Sequence, residues 1–290
     1  MAVETNTIIT ADVAPAISID LVSNFVSNIR ALQELLGITD MIPMAEGSTV
    51  KVYTTTVGNL VGQDSEGDVV GLTDVEIAEA DPIVMELLPY RKRVTAQAIQ
   101  KVGRERAIYD TDRALIGKIR SAIKAGFYTA LGDATGVTPA GATLQQALAN
   151  AWAQLHTYFE DFDINPVHFV NPLDVAGYLG TASITTQTAF GFDYVEDFLG
   201  LGTVIFSPNV TQGEIISTAK ENLRCAYVPA NGAVGQEFEM TADESGLVGI
   251  THGRVLDHFS IDSLMMCGVK FFAENLAGVF VGAVGEDVSA

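Results

Sequence analysis

Four histidines and two cysteines are the residues best suited to chemistry in this chain. His252 and His258 stand six apart, which misses the i, i+4 spacing that sets two imidazoles on one helix face around a zinc ion. His168 alternates in a strand-like run, and His156 falls on a helical pattern. Cys225 and Cys267 have no CxxC spacing, which argues against a zinc site or disulfide framework and fits a reducing cytoplasm. No GxSxG elbow presents a serine as nucleophile. The run GVTPAGAT (136–143) matches neither the phosphate-loop pattern nor GxGxxG and reads as a link between lobes. Glu160 and Asp161 read as a solvated helix end. Trp152, Phe271, Phe272 and Phe280 sit at periodic positions and are read as core. No catalytic, cofactor or metal site is expected, and the chain is not read as an enzyme.

Those residues sit in a chain of 290 residues that is 48% hydrophobic and only 18% charged. This is enough for one large domain or two lobes on a shared core. A low charged fraction suits either a big core or large protein–protein interfaces, whose centres are depleted in charge. The net charge of −20 keeps a free protomer soluble and disfavours non-specific nucleic-acid binding. The first residues, MAVETNTIITADVAP, lack the basic head and apolar run of a signal peptide. No stretch approaches the roughly 18 apolar residues of a membrane span.

No internal repeat is present. Residues 1–17 read as an extended arm. Ser18 caps a helix whose stripe is Leu21, Val22, Phe25, Val26, Ile29, Leu32, Leu35 and Leu36, stopped by Gly37. Thr49 to Thr56 is a β-branched strand, and Ile83 to Ile99 reads as a long return strand with Pro89 at a bend or edge. Residues 58–82 between them are rich in Gly and acid, and a connection that long is functional or disordered. A two-stranded excursion is marginal alone in water. It needs a surface to lie on, from its own domain or from a neighbour.

Charge points to that surface. Asp64, Glu66, Asp68, Asp74, Glu76, Glu79 and Asp81 fall between Gly58 and Asp81 with no Lys or Arg. Ten of the sixteen basic residues lie between Arg91 and Lys124, including Arg91, Lys92, Arg93, Arg104, Arg106 and Arg113. Part of that stretch is a long helix ending at Gly132, striped by Ile108, Leu115, Ile119, Ile123, Phe127 and Ala130. A negative tip and a positive helix in one chain suit head-to-tail contact between copies, which closes into rings. Between Lys124 and Lys220 there is no Lys or Arg. Residues 140–253 read as a separate α/β lobe: a helix over Thr143 to Glu160, the strand PVHFV, a short helix opened by Asn171-Pro172, the strand GTVIFS, and strands at Glu214–Ser217 and Arg224–Val228. Long β segments close the chain after a helical turn at Ser260 to Leu264.

This order of parts resembles the Hong Kong-type (Johnson) fold of tailed-bacteriophage major capsid proteins. FVNPLDVAGYL is similar to that family's axial-domain strand–Asn-Pro–helix element. GTVIFSPNVTQGEIISTAKENLRCAYV resembles the strand–turn–strand run of the same lobe, and GLVGITHGRVLDHFSIDSLMMCGVKFFAENLAGVFV its closing peripheral strands. The resemblance implies an α+β fold divided as follows: N-terminal arm and first helix, 1–47; extended β-hairpin loop, 48–100; spine helix of the peripheral domain, 101–139; axial domain, 140–253; return to the peripheral domain, 254–290. It further implies hexameric and pentameric capsomers of an icosahedral shell in the virion. Such a shell is made in the bacterial host cytoplasm and encloses double-stranded DNA without sequence-specific binding. A portal and separate scaffolding or decoration proteins are the implied partners, with no membrane and no cofactor. Some relatives join subunits by a Lys–Asn isopeptide bond. Asn275 could serve, but no Lys lies between Thr54 and Tyr90, so a non-covalent shell is expected. Other relatives carry a charged helical extension as built-in scaffold; with the first helix reached by Ser18, scaffolding is expected to be a separate protein or absent. An encapsulin-like protein nanocompartment is the nearest alternative, and an α+β enzyme a distant one.

Overall fold

The computed structural model describes residues 10–38, 41–51, 53–57, 61, 72, 74–79, 82–132, 134, 136–160, 162–179, 186–189, 192–242 and 244–285. Helix α1 (Thr10–Leu35) comes first. Its apolar stripe buries Leu21, Val22, Phe25, Ile29, Leu32 and Leu36. Gly37 ends it at φ +70°, a left-handed stop at which the Ile38 amide reaches back to the Gln33 carbonyl. The helix begins eight residues before Ser18. Residues 10–17, expected as part of an extended arm, are helical, with Pro15 inside the segment removing one backbone donor.

Short strands β1 (Met41–Pro43), β2 (Thr49–Val50) and β3 (Tyr53–Val57) lead up to β4 (Val75–Glu79) and β5 (Ile83–Val84). The hairpin is real, with β2 antiparallel to β5 and β3 to β4. The single return strand is not. β5 stops at Val84, and β6 (Leu88–Thr95) joins a different sheet. Thr95 then caps helix α2 (Ala96–Val102) by accepting the Ala98 amide. The alanines at 96 and 98 favour helix, so the strand ends where the cap begins. Pro89 lies on β6, the edge strand of its sheet, where its missing N–H costs no ladder bond.

A π-helical segment (Glu105–Asp110) joins α2 to α3 (Thr111–Gly132). Ile108, Ile119 and Phe127 are buried as expected, but Ile116, Tyr128 and Leu131 join them, while Leu115 and Ile123 are only partly covered.

The middle region holds β7 (Gly136–Val137), α4 (Leu144–Tyr158), β8 (Pro166–Val170), α5 (Pro172–Leu179), β9 (Gln187–Ala189), β10 (Phe192–Val195), β11 (Thr203–Phe206) and β12 (Glu214–Ala219). Thr143 caps α4 at the Gln146 amide, and Asn171 caps α5 at the Leu173 amide. The chain closes with β13 (Leu223–Tyr227), α6 (Ala233–Glu237), β14 (Thr241–Ala242), β15 (Val248–Val255), β16 (Ser260–Cys267), β17 (Val269–Ala273) and β18 (Phe280–Ala283). Ser260 to Leu264, expected as a helical turn, is strand. It pairs with β6 on one side and β15 on the other, and the only helical turn nearby is at Leu256–His258.

Three larger sheets result. The order β7-β18-β12-β8-β11-β10-β9 makes a seven-stranded sheet, β14-β15-β16-β6 a four-stranded one, and β1-β13-β17 a three-stranded one. Strand β18, from the last residues described, closes the sheet of the middle region rather than staying with the long strands before it. The main core packs α1 and α3 against strands of all three sheets. Phe127 meets Phe169 at 5.5 Å and Phe271 at 6.1 Å, both edge to face. A second core lies between α4 and the other face of the seven-stranded sheet, around Leu148, Val204, Phe206 and Ile215.

Candidate functional site

Two of the histidines are engaged inside the fold, His156 lies at its rim, and His258 is exposed on the turn Leu256–His258. His168 is fully buried on β8, with Nδ1 2.8 Å from the Ser217 hydroxyl and Nε2 3.1 Å from the Leu201 carbonyl. Burial pushes its pKa down to about 4, so it is neutral and satisfied. His156 lies on Trp152, ring centroids 4.5 Å apart, and Trp152 is half-buried at the rim rather than in the core as expected. His252 binds Asp112. Cys225 and Cys267 are free and buried, and burial pushes the Cys267 thiol up to about 11. A buried neutral thiol is a poor nucleophile. Phe271, Phe272 and Phe280 are core residues. Among the described residues no three His, Cys, Asp or Glu side chains are placed to hold a metal ion, and no helix is long and apolar enough to cross a membrane.

The acidic hairpin stands apart. Among the described residues β3 and β4 pair only with each other, and no third strand joins them. Asp74 and Glu76 are exposed, and so are the apolar side chains beside them: Leu72 is 96%, Val75 52% and Ile77 65% exposed. Glu79 lies opposite Tyr53 in the ladder. Asp64, Glu66 and Asp68 lie outside the described residues.

The basic stretch divides in two. Lys92 and Arg93, expected at a contact between copies, are engaged within their own chain. Arg93 grips Asp262 with Nε on Oδ1 at 2.7 Å and a second bond at 2.9 Å. That guanidinium holds the Asp262 carboxyl below the usual carboxylate range. Lys92 stands 3.0 Å from the fully buried Asp112. Arg91 is 64% exposed and only loosely near Asp262, at 3.6 Å. Cross-strand pairing explains this. Residues 91–93 lie opposite Leu264, Ser263 and Asp262 of β16, a partner 170 positions away that sequence spacing could not supply.

Arg106 and Arg113 behave differently. With Arg120 they line one groove of about 620 Å³ between α1 and the π–α3 helix, whose other charged groups are Glu105 and Asp110. None of the three arginines forms an ion pair among the described residues. Lys124, one turn on, has its pKa lowered by burial and by the charge of Arg120, a sign of crowded positive charge. Arg104 is outside the groove lining, with its Nε buried and unpartnered. Arg120 was missed in the sequence, although the seven-residue steps 106, 113 and 120 would have marked it as part of one helix face.

No protein-family model matches the sequence, and no curated protein matches it. Solved structures match in fold. The capsid of a native GTA particle superposes with a TM-score of 0.59 at 12% identity, covering 88% of this chain and 90% of that one. The cyanophage A-1(L) capsid gives 0.58 at 13%, covering 88% and 93%. The holo-SrpI encapsulin complex from Synechococcus elongatus gives 0.52 at 9%, covering 89% of each. At such identities the likeness establishes the fold alone: the chain has the α+β Hong Kong-type capsid fold.

Proposed function

We propose that this chain is a major capsid protein that assembles with copies of itself into the icosahedral head shell of a tailed double-stranded DNA phage. The observation that carries the reading is the β3–β4 ribbon. Among the described residues it pairs with no other strand, and it exposes Val75 and Ile77, with Leu72 exposed just before it, and bears acidic groups. A two-stranded ribbon with one apolar face is not independently stable in water. A bed on an adjacent copy supplies what its own body does not.

The acidic side of the ribbon, which carries Asp74 and Glu76, then meets the groove of Arg106, Arg113 and Arg120 on the next copy; Glu79, Asp64, Glu66 and Asp68 add negative charge to the same stretch of sequence. Residues 48–100 act as the extended loop, 101–139 as the spine, 140–253 as the axial domain around the capsomer axis, and 1–47 with 254–290 as the rest of the peripheral part. Hexamers and pentamers close the shell through several interfaces of about 1,600 Å² each. The protein acts by assembly and catalyses no reaction. It is made in the host cytoplasm, ends in the virion, and encloses DNA without reading its sequence. A portal and separate scaffolding or decoration proteins complete the head. The shell is non-covalent: no Lys lies between Thr54 and Tyr90, and the Asn275 amide is donated to the Tyr158 hydroxyl at 3.0 Å.

Electron microscopy of the purified protein tests this directly. Closed shells are expected, and a denaturing gel should show single chains only. A small soluble oligomer at every concentration would remove the proposal, and a ladder of cross-linked chains would remove its non-covalent part. The fold likeness to an encapsulin complex supports a second reading, a protein nanocompartment. Packaged double-stranded DNA rather than protein cargo decides between them.

A further inference from the structure

Between α2 and α3 the chain is wound as a π-helix over Glu105–Asp110. A wide turn of this kind has poorer hydrogen-bond geometry than an α-helix and persists where its surroundings hold it. Here the holder is Lys92, reaching across from β6. Its ammonium donates to the Ile108 carbonyl at 2.6 Å and to the Thr111 hydroxyl, and stands 3.0 Å from Asp112 Oδ1. An ammonium has three protons, and all three oxygens belong to the turn or its exit. The Thr111 hydroxyl lies 2.8 Å from the carbonyls of both Ala107 and Ile108. The second oxygen of Asp112 is 2.8 Å from His252 Nε2 on β15, and Tyr109 sets its ring edge-on to that histidine at 6.1 Å.

The register explains the convergence. Lys92, Ser263 and His252 are direct neighbours across β6, β16 and β15, so one row of the four-stranded sheet meets one turn of the helix. The cluster is not fully satisfied. Ser263 Oγ is buried with no partner among the described residues, and the Lys92–Asp112 approach is an ion contact without aligned hydrogen-bond geometry. A partly satisfied buried network holds a geometry less firmly than a complete one.

We propose that residues 105–110 form a two-state joint, clamped in the wide turn by Lys92 and passing to α-helical winding when that clamp opens. Rewinding by one residue turns the upstream part by roughly 100° relative to α3. Arg106 would then leave the groove that it shares with Arg113 and Arg120. That last consequence rests on the groove being the seat of an adjacent copy; the joint itself does not.

Amide hydrogen exchange on the full-length protomer, below the concentration at which it assembles, tests the joint without reference to assembly. Lys92→Met keeps the stem and removes the three donors. Exchange at residues 105–112 should rise about tenfold or more, with β8 and β12 unchanged. Unchanged exchange at 105–112, or an equal rise in β8 and β12, overturns the proposal. A second variant deletes the exposed Glu105, which shortens the segment to an α-helical count. It should fold, and adding Lys92→Met to it should produce no further local rise. If Lys92→Met does not fold, the deletion carries the test: a folded protein with slow exchange at 106–112 supports the joint, and an unfolded one overturns it.

Discussion

His168 illustrates how a single residue reads differently once its surroundings are known. In sequence it is one polar residue in PVHFV. In the fold it is the interior link between β8, the Ser217 hydroxyl of β12 and the Leu201 carbonyl. The sign of its pH effect follows. The folded pKa is about 4, whereas an unfolded histidine titrates near 6.5. Below pH 6.5 the unfolded chain takes up a proton that the native chain refuses, so its contribution, complete above pH 6.5, declines as the pH falls toward 4. About 2 kcal/mol should be lost by pH 5. Urea titrations of the unassembled protomer at pH 7.5 and pH 5 measure this, and H168Q should flatten the difference. An equal pH dependence in H168Q would show that other groups are responsible. Trp152 is the opposite case. Helical periodicity put it on the apolar side of α4, but its neighbours at that height are His156 and the polar end of the seven-stranded sheet, so it stays half-covered.

At the scale of elements, the ribbon and the helix behind it carry the assembly reading. Val75 and Ile77 point into solvent in the protomer, so replacing both with Asp should alter protomer stability by no more than about 0.5 kcal/mol. The same pair of changes should abolish shell formation, because it places charge where the proposed seat requires an apolar face. Denaturation midpoints and sedimentation of the assembled material check the two halves separately. Shells at normal yield from V75D/I77D would show that β4 is not buried on assembly. The basic helix needs a different test from the one charge alone suggests. Reversing Lys92 and Arg93 would leave Asp112 and Asp262 without their cations, and losing one partner of a buried pair is costly in itself. Arg106 and Arg113, exposed and free of ion pairs among the described residues, are the informative positions.

For the whole molecule the governing quantity is the uneven distribution of a net charge of −20. If copies are drawn together by acidic ribbon and basic groove, assembly should slow as salt rises toward about 1 M, where the Debye length falls to about 3 Å. R106E/R113E should assemble slowly at every ionic strength and lose that salt dependence. Light scattering during assembly follows both, and a wild type indifferent to salt would separate the shell from the electrostatic clasp. The order of parts was legible in the chain: the α1 stripe, the hairpin around an acidic connection, the long basic helix, the Asn-Pro start of α5 and the strands of the middle lobe. Each rests on periodicity, capping or turn chemistry, which act over a few residues and are therefore written locally. Three things were decided only by tertiary structure: the strand character of Ser260–Leu264, the place of β18 in the middle sheet, and the loss of Lys92 and Arg93 to internal carboxylates. Each depends on which distant strand lies alongside. Asp112, His252 and Lys92 are separated by up to 160 positions in sequence, and no local pattern can specify that they share one turn of a helix.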